Sequence, residues 1–190
     1  MTTGRKQATA TLLNNGQVLV AGGQTSTAEL YNPATGKWTQ TGSMDVSRMD
    51  GNATLLPDGD VLETSGISAG GPFAELYHPA TGQWSDATGG LTTCTAVRDC
   101  RFYSSETLLP TGNVLVAGGM VGLASNPATT ASAMLYNPAS NAWTATGSMN
   151  GGRGQQTATL LPDGQVLVAG GISFGGHRAN PLATAELYTP

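Results

Sequence analysis

Hydrophobic and polar positions alternate along this chain as a block that occurs four times. Each block contains a polar turn, an apolar run such as Val18-Leu19-Val20-Ala21, and a pair of small residues, usually both glycine. The blocks span residues 11–23, 54–66, 107–119 and 159–171. A short run that is apolar at successive positions predicts a strand buried on both faces. The turns contain Asn-Asn-Gly, Pro-Asp-Gly or Pro-Thr-Gly, whose glycine supplies the positive φ that a tight hairpin requires.

A second pattern follows each block and completes the repeat. A Glu-Leu-Tyr-like segment ends at Tyr31, Tyr77, Tyr136 and Tyr188, and in the first three repeats a tryptophan follows seven residues later, at Trp38, Trp84 and Trp143. We name the four predicted strands of each repeat a, b, c and d. The sequence therefore predicts an all-β fold of four-stranded antiparallel sheets that pack face to face, with no strand d in the last repeat.

The pair of glycines, the tyrosine and the tryptophan together resemble the kelch motif. Residues 159–171 are similar to bacterial kelch repeats of the galactose-oxidase-like group. The resemblance implies a single β-propeller domain over residues 1–190, with blades at about 5–44, 45–91, 92–149 and 150–190, the last lacking its outer strand. Kelch propellers usually have six or seven blades. Four blades therefore predict a piece of a larger propeller, a self-associating fragment, or two chains that combine into one ring.

Charge and hydropathy exclude two classes of partner. The chain has 8 Lys and Arg residues against 12 Asp and Glu residues, a net charge of −4. Binding to nucleic acid or to an anionic membrane surface requires clustered basic side chains, so neither is expected. No apolar run reaches the length of a membrane span.

The two cysteines carry the prediction of location. Cys94 and Cys100 lie six residues apart, a spacing that favours a small disulfide, with two free thiols as the alternative. A disulfide indicates an oxidising compartment, so the sequence predicts an extracellular or cell-surface protein. A metal site is disfavoured because the C-x-x-C spacing and a nearby histidine are both lacking.

An arginine recurs at one position in every repeat. It stands seven residues before the Leu-Leu pair and seventeen before the first residue of the small pair, at Arg5, Arg48, Arg101 and Arg153. The four guanidinium groups form either an anion-binding ring or a structural set paired with Glu29, Glu75 and Glu186. We favour the structural interpretation, with the pairs joining adjacent repeats. The third repeat has Met134 in place of the glutamate.

Two connections carry the variation in length. From the last glycine to the tyrosine, the b–c connection spans 8, 11, 17 and 17 residues, and the d–a connection from tryptophan to arginine spans 10, 17 and 10. Both emerge at one end of an antiparallel sheet, and variable loops on a constant scaffold commonly bind ligands. The candidate binding residues at this end are Met120, Phe174, His177, Arg178 and Asn180. We predict a binding module that recognises a protein or carbohydrate ligand without catalysis. The alternative role is a structural or assembly module that forms a homo-oligomer through its incomplete last blade.

The resemblance to galactose oxidase also raises copper-radical oxidation. That chemistry needs two histidine ligands, and the only histidines, His78 and His177, are predicted at opposite ends of their sheets. We therefore expect no enzymatic activity and no cofactor. The remaining alternative is a fragment of a copper-radical oxidase whose ligands lie outside this chain.

Overall fold

The computed structural model describes residues 1–66, 71–87, 101–122, 127–175 and 178–190. Its regular structure is entirely β, which confirms the predicted class, and the described residues contain no helix. Neighbouring strands pair antiparallel throughout. Repeats 1 to 3 each form a four-stranded sheet, and repeat 4 forms a three-stranded one.

Sheets 1 and 2 contain the first eight strands in chain order. In sheet 1 these are β1 (Ala8–Leu12), β2 (Val18–Gly22), β3 (Ala28–Asn32) and β4 (Lys37–Gln40). In sheet 2 they are β5 (Asn52–Leu55), β6 (Val61–Thr64), β7 (Ala74–His78) and β8 (Gln83–Asp86). Each strand pairs with the next along the chain, so strands a to d lie in the predicted order.

Repeats 3 and 4 each contain an inserted hairpin that forms a separate two-stranded sheet, which the sequence did not predict. Sheet 3 consists of β9 (Ser105–Leu108), β10 (Val114–Ala117), β13 (Ala133–Asn137) and β14 (Ala142–Thr146). Sheet 4 consists of β15 (Thr157–Leu160), β16 (Val166–Ala169) and β19 (Ala185–Tyr188). The hairpins are β11 (Met120–Val121) with β12 (Ala128–Thr129), and β17 (Ile172–Gly175) with β18 (Arg178–Pro181). The long b–c connections therefore carry their own strand pairs.

The sheets pack against their neighbours through alternating faces. On β2, Leu19 and Ala21 are buried and belong to one apolar cluster with Val61 and Tyr77 of sheet 2. On β16, Val166 and Val168 are buried in a cluster with Leu115 and other residues of sheet 3. All four residues of β6 and of β10 are buried. Sheets 2 and 3 therefore bury both faces, whereas sheets 1 and 4 each leave one face accessible to solvent.

Polar side chains form a buried layer between successive sheets. The Thr9 hydroxyl donates to Glu63 Oε2 at 2.8 Å, and the Thr64 hydroxyl donates to Glu106. Burial raises the pKa of Glu63 to about 8, although the charge of Arg48 favours the carboxylate. Burial likewise raises the pKa of Glu106 to about 7. Both groups are neutral acids over part of the physiological pH range because desolvation penalises the charged form.

The glycine pairs are needed where the arginine segments pack against them, both within a repeat and between repeats. A Cβ on Gly118 would lie 2.6 Å from the Arg153 carbonyl oxygen of the next repeat, and one on Gly66 would lie 2.4 Å from the Met49 carbonyl oxygen. Both glycines also have φ in the left-handed region, at 64° and 68°. A larger residue would meet backbone atoms that cannot move away. The pairs therefore allow the arginine segments to approach closely.

Candidate functional site

The buried arginine of each repeat holds its own sheet together. Arg48 makes five hydrogen bonds, of which Nη1 donates to the carbonyl oxygens of Ser65 at 2.8 Å and Phe73 at 3.1 Å. Its Nη2 forms an ion pair with Glu75 at 2.8 Å, and the Arg48 side chain is only 1% exposed. The guanidinium group thus joins the end of strand b to the start of strand c.

The same contacts recur in the other repeats. The arginine Nη1 donates to two backbone carbonyl oxygens, that of the first residue of the small pair and that of the residue before strand c. These residues are Gly22 and Thr27 for Arg5, Gly118 and Ser132 for Arg101, and Gly170 and Thr184 for Arg153. Ion pairs join Arg5 to Glu29 at 3.3 Å and Arg153 to Glu186 at 2.5 Å. The Arg5 and Arg153 side chains are each 2% exposed and hydrogen-bond to groups of their own repeat. This favours the structural role over anion binding.

The prediction that these ion pairs join adjacent repeats is wrong. Each joins the segment before strand a to strand c of the same repeat. The backbone makes the link between repeats instead. The carbonyl oxygens of Arg48, Arg101 and Arg153 accept hydrogen bonds from the amides of Gly23, Gly66 and Gly119 at 2.7 to 2.8 Å.

Arg101 has a different environment from the other three. Met134 replaces the glutamate, and Nη2 of Arg101 donates to the Ser132 hydroxyl at 2.7 Å. Burial lowers the pKa of Arg101 to about 10. Among the described residues, no carboxylate forms an ion pair with this guanidinium. Neutral oxygens therefore satisfy its described contacts.

The inserted hairpins lie at the arginine end of the sheets. Met120 pairs with Phe102, the residue after Arg101, and Ile172 pairs with Gly154, the residue after Arg153. Met120 is half-buried, and a Cβ on Gly154 would lie 2.7 Å from its Cγ. The second hairpin therefore begins beside the first and continues the surface that the long connections form.

The predicted binding residues of the second hairpin do not share one face. The register places Phe174 opposite Ala179 and Ser173 opposite Asn180. Because paired residues share a face and successive residues alternate, Phe174 lies on the opposite face from Arg178 and Asn180. Phe174 is half-buried, whereas Arg178 and Asn180 are exposed. His177, Cys94 and Cys100 lie outside the described residues.

A row of polar residues at this end was not predicted from the sequence. Two residues after each arginine, a residue other than glycine adopts left-handed φ. These residues are Gln7 at 63°, Asp50 at 55°, Tyr103 at 55° and Gln155 at 57°. We call them the polar rim. The conformation costs about 1 to 3 kcal/mol for such residues, and glycine would adopt it more easily. The sequence contains no signal for these positions except their constant distance from the arginine, because the four residue types differ.

Hydrogen bonds connect the polar rim from one repeat to the next. The side-chain Nε2 of Gln7 donates to Asp50 Oδ2 at 2.8 Å, and the backbone amide of Gln155 donates to the Tyr103 carbonyl oxygen at 3.0 Å. A hydrogen bond to Asp50, together with burial, raises the pKa of the Tyr103 hydroxyl. Gln7 and Gln155 are exposed, and Asp50 and Tyr103 are half-buried. The rim therefore presents amide, carboxylate and hydroxyl groups to solvent.

The opposite end of sheet 2 holds an Asp-His-Ser arrangement. His78 Nδ1 lies 2.6 Å from Asp60 Oδ2, and Nε2 lies 2.7 Å from the Ser85 hydroxyl oxygen. At the corresponding positions of sheet 4, Gln165 Nε2 donates to the Thr189 hydroxyl at 2.8 Å. Since repeat 4 makes the same cross-strand contact without histidine, we interpret the group as a structural feature of the turn.

Within the described ranges, no group of three or more His, Cys, Asp or Glu side chains is arranged to hold a metal ion. The same part of the chain has no helix whose length and apolar character would let it cross a membrane. Comparison of the chain with protein-family models and with curated proteins found no match.

Proposed function

We propose that the four sheets are blades of a kelch-type β-propeller and that the chain is a non-catalytic binding module. The face-to-face packing of successive sheets and the four equivalent arginine positions support this architecture. The first strands β1, β5, β9 and β15 are neighbours in that order, as the inner strands of blades are. Kelch propellers include enzymes and adaptors, so the architecture does not assign the activity.

The polar rim is the observation that carries the binding proposal. Four backbone positions keep a strained conformation while presenting side chains that donate and accept hydrogen bonds. Strain of this kind persists only where the surrounding structure enforces it, and such residues cluster at functional sites. Amide, carboxylate and hydroxyl groups suit the hydroxyls of a glycan or the backbone of a peptide, and the exposed hairpin β17–β18 extends the same end. The proposed ligand is a protein or a glycan.

An extracellular or cell-surface location is part of the proposal. It rests on the spacing of Cys94 and Cys100 and on the expected disulfide. Mass spectrometry of the intact protein after alkylation without reductant tests it. A protein that takes up two alkyl groups before reduction has two free thiols and contradicts the location.

A binding screen with matched variants tests the function. Immobilised glycans and displayed peptides are probed with the wild-type protein, with the double variant Asp50→Asn and Tyr103→Phe, and with Asp163→Asn. Asp163 lies in the a–b turn at the opposite end, and its carboxylate accepts a hydrogen bond from the Gln165 amide, which asparagine can also do. We expect the double variant to lose at least about tenfold in affinity, and Asp163→Asn to bind normally. A ligand that binds all three proteins equally refutes the rim as its site.

Assembly with a second copy is the second candidate function. The solvent-accessible face of sheet 4 carries Leu167 and Ala169, the repeat equivalents of Leu19 and Ala21, which pack against sheet 2. The solvent-accessible face of sheet 1 carries Val18, the equivalent of Val61. The two faces are thus the two halves of an interface already present between sheets 1 and 2. A head-to-tail pair of chains would bury both.

Sedimentation velocity distinguishes this assembly from a monomer. We expect a concentration-dependent dimer in the wild type, and a monomer for Leu12→Arg and for Leu187→Arg measured separately. A mixture of the two variants retains one intact interface and should form a weaker dimer. A wild-type mass of 19.3 kDa at every concentration contradicts the assembly.

A further inference from the structure

Two grooves lie at the end of the sheets opposite the polar rim. Each is bounded by the a–b turns of two adjacent sheets and by the c–d turn of the second of these sheets. The first groove lies between sheets 1 and 2 and has a volume of about 290 Å³. The second groove lies between sheets 2 and 3 and has a volume of about 370 Å³. Each is enclosed by two sheets of this chain and is large enough for a side chain of a ligand.

The a–b turns form one wall of each groove. A Cβ on Gly59 of sheet 2 would lie 3.2 Å from Asn14 Nδ2 of sheet 1, and a Cβ on Gly112 of sheet 3 would lie 3.7 Å from Pro57 Cγ of sheet 2. Adjacent a–b turns are therefore separated by little more than van der Waals distance. Because the same approach occurs at both junctions, the grooves follow from the repeat and not from the sequence of a single loop.

The c–d turns form the opposite wall, which is apolar. The first groove is lined there by Pro79 and Ala80, and the second groove by Pro138 and Ala139. In the second groove, the Ala139 amide donates to Asn137 Oδ1 at 3.0 Å, which holds the turn in shape. The prolines and alanines present pyrrolidine and methyl groups, so this wall favours contact with hydrocarbon.

Asp58 gives both grooves a negative charge. It is exposed and lines the first groove as well as the second. Its Oδ1 accepts a hydrogen bond from the Asp60 amide at 3.1 Å, and within the described ranges Asp58 forms no ion pair. The carboxylate is therefore available to a cation that enters either groove. No lysine or arginine occurs in the four a–b turns, at residues 13–17, 56–60, 109–113 and 161–165.

The charge of Asp58 also acts inside the protein. Burial, together with the charges of Asp58 and Asp60, raises the pKa of the Tyr136 hydroxyl to about 12. Tyr136 precedes Asn137, which lines the second groove. Asp60 lines the first groove, but its Oδ2 lies 2.6 Å from His78 Nδ1. Asp58 therefore sets the charge preference that the two grooves share.

The apolar wall and the carboxylate together describe the side chain that fits. Lysine and arginine bury their hydrocarbon stems along apolar surface and keep the cationic head at a polar site. The stem would lie along the proline and alanine of the c–d turn, and the head would pair with Asp58. An acidic side chain would be repelled by the same carboxylate. Since Asp58 belongs to a wall that the grooves share, two basic side chains of one segment can occupy both.

We propose that the two grooves form a docking site for a basic segment of a protein partner, with one lysine or arginine side chain in each groove and both cationic heads at Asp58. Each ion pair is exposed to solvent and adds only modest affinity, so the two grooves act together. This site lies at the opposite end of the sheets from the polar rim and does not depend on the function proposed there.

A labelled tetra-arginine peptide tests the docking site. Its fluorescence polarisation is recorded while the peptide is titrated with the 190-residue protein at low ionic strength, where exposed charges are least screened. We expect saturable binding with a dissociation constant below about 1 mM. A tetraglutamine peptide, which has the same length and no charged side chain, should bind at least about tenfold more weakly.

Substitution of the shared carboxylate locates the peptide. Asp58→Asn should weaken binding about tenfold, because it removes one ion pair from each groove. Asp163→Asn is the matched control, since Asp163 holds the equivalent turn position in sheet 4 but lines neither groove. Each carboxylate accepts a backbone hydrogen bond that asparagine can also accept, from Asp60 at 3.1 Å and from Gln165 at 3.0 Å. We expect the control to change the affinity by less than about twofold.

Filling the grooves gives a second test that leaves the charge unchanged. Ala80→Gln and Ala139→Gln, combined in one protein, place longer side chains on the apolar walls and should weaken binding at least about tenfold. Ala34→Gln is the control and should bind like the wild type, since Ala34 holds the same position in the c–d turn of sheet 1 and lines neither groove. The Ala34 amide donates to Asn32 Oδ1 at 2.9 Å, as the Ala139 amide does to Asn137. All three alanines are exposed, so the variants should fold.

Four outcomes overturn the proposal. The docking site is absent if tetra-arginine shows no saturable binding up to about 1 mM, which corresponds to about −4 kcal/mol. Equal losses for Asp58→Asn and Asp163→Asn show a general attraction of charge only. Normal binding by the double alanine variant places the peptide elsewhere. Loss of binding in the variant with Asp50→Asn and Tyr103→Phe places the peptide at the polar rim.

Discussion

Two junctions, one between sheets 2 and 3 and one between sheets 3 and 4, are formed by equivalent inner strands. They differ at their outer edges. Tyr136 is 0% exposed and Trp143 is 8% exposed at the first junction. At the second, Tyr188 is half-buried and Leu187 is 56% exposed. Yet Val114 and Val166, on strand b of sheets 3 and 4, are both fully buried. The inner strands therefore suffice to dock a sheet, and the fourth strand closes the outer half of the junction.

The arginine substitutions should have the largest effect and should separate sheet 2 from sheet 4. Arg48→Met leaves Glu75, which is 1% exposed, buried without its ion-pair partner. Loss of one partner of a buried pair costs about 3 to 5 kcal/mol. Arg153→Met should cost about 2 kcal/mol, because Glu186 is half-buried and can regain water.

Urea unfolding followed by tryptophan fluorescence measures both free energies. The measurement requires that the slope of the transition is the same in the wild type and both variants. Equal losses for Arg48→Met and Arg153→Met would contradict the difference in burial between the two sheets.

Removal of the Trp143 indole should open the outer half of the junction between sheets 2 and 3. That junction should then resemble the one between sheets 3 and 4. Trp143→Ala opens a cavity under Phe73 and Tyr136, whose ring centroids lie 5.5 Å and 5.0 Å from the indole. We expect a loss of about 3 kcal/mol in the free energy of unfolding. Trp38→Ala is the control, since Trp38 contacts Tyr31 at the solvent-accessible face of sheet 1 and should cost about 1 kcal/mol. A smaller loss for Trp143→Ala than for Trp38→Ala would contradict this interpretation.

Buried acids make the junctions of sheet 2 sensitive to pH. The pKa of Glu63 is raised to about 8 in the folded protein, so the folded state binds more protons than the unfolded state above about pH 4.5. The free energy of unfolding should therefore fall as the pH rises from about 5 to 8, and then level off. Glu106, with its pKa raised to about 7, acts in the same direction.

Glu63→Gln tests this pH dependence. Its side-chain oxygen can still accept the hydrogen bond from Thr9, and the variant has no charge to bury. We expect the variant to gain about 1 to 3 kcal/mol over the wild type at pH 8.5 and to match it near pH 5, as measured by urea unfolding at both values. An unchanged difference between the two pH values would show that Glu63 titrates normally.

The smallest effect on stability is expected for the exposed leucines. Leu187→Ser and Leu12→Ser replace side chains that are 56% and 64% exposed in the single chain. At protein concentrations low enough for the monomer, each should change the free energy of unfolding by less than about 0.5 kcal/mol. In contrast, Leu62→Ser, at a residue that is 0% exposed between sheets 2 and 3, should cost about 3 kcal/mol. Thermal unfolding of the three variants ranks them. A large loss for Leu187→Ser would show that this face is covered in the folded protein.

The strand pattern was predictable from the sequence because it depends on local signals. Turns with glycine at φ between 80° and 96°, namely Gly16, Gly59, Gly112 and Gly164, separate strands a and b as expected. The location of the arginine–glutamate ion pairs could not be predicted from residue spacing alone. Glu75 follows Arg48 by 27 residues, and that distance along the chain does not reveal whether the contact lies within one sheet or between two.

The polar rim and the hairpin faces could not be predicted for a related reason. Left-handed φ at Asp50 or Tyr103 follows from the close approach of the arginine segment to a glycine pair, which is a tertiary constraint. Phe174, Arg178 and Asn180 lie close in sequence, but the register of β17 and β18 separates their side chains to opposite faces. Their proximity in the chain suggested a single binding surface. The alternation of side chains along the hairpin instead places them on two faces.

The amide-to-carbonyl link from Gly23 to Arg48, from Gly66 to Arg101 and from Gly119 to Arg153 makes the repeats interchangeable at their boundaries. Each boundary uses the same two backbone atoms and a glycine that admits the neighbouring segment, whatever the side chains of the rim or the hairpins. A duplication that inserts one whole repeat would therefore create a boundary identical to those it interrupts. The fold can change its number of units by whole-repeat steps while each unit changes its loops independently.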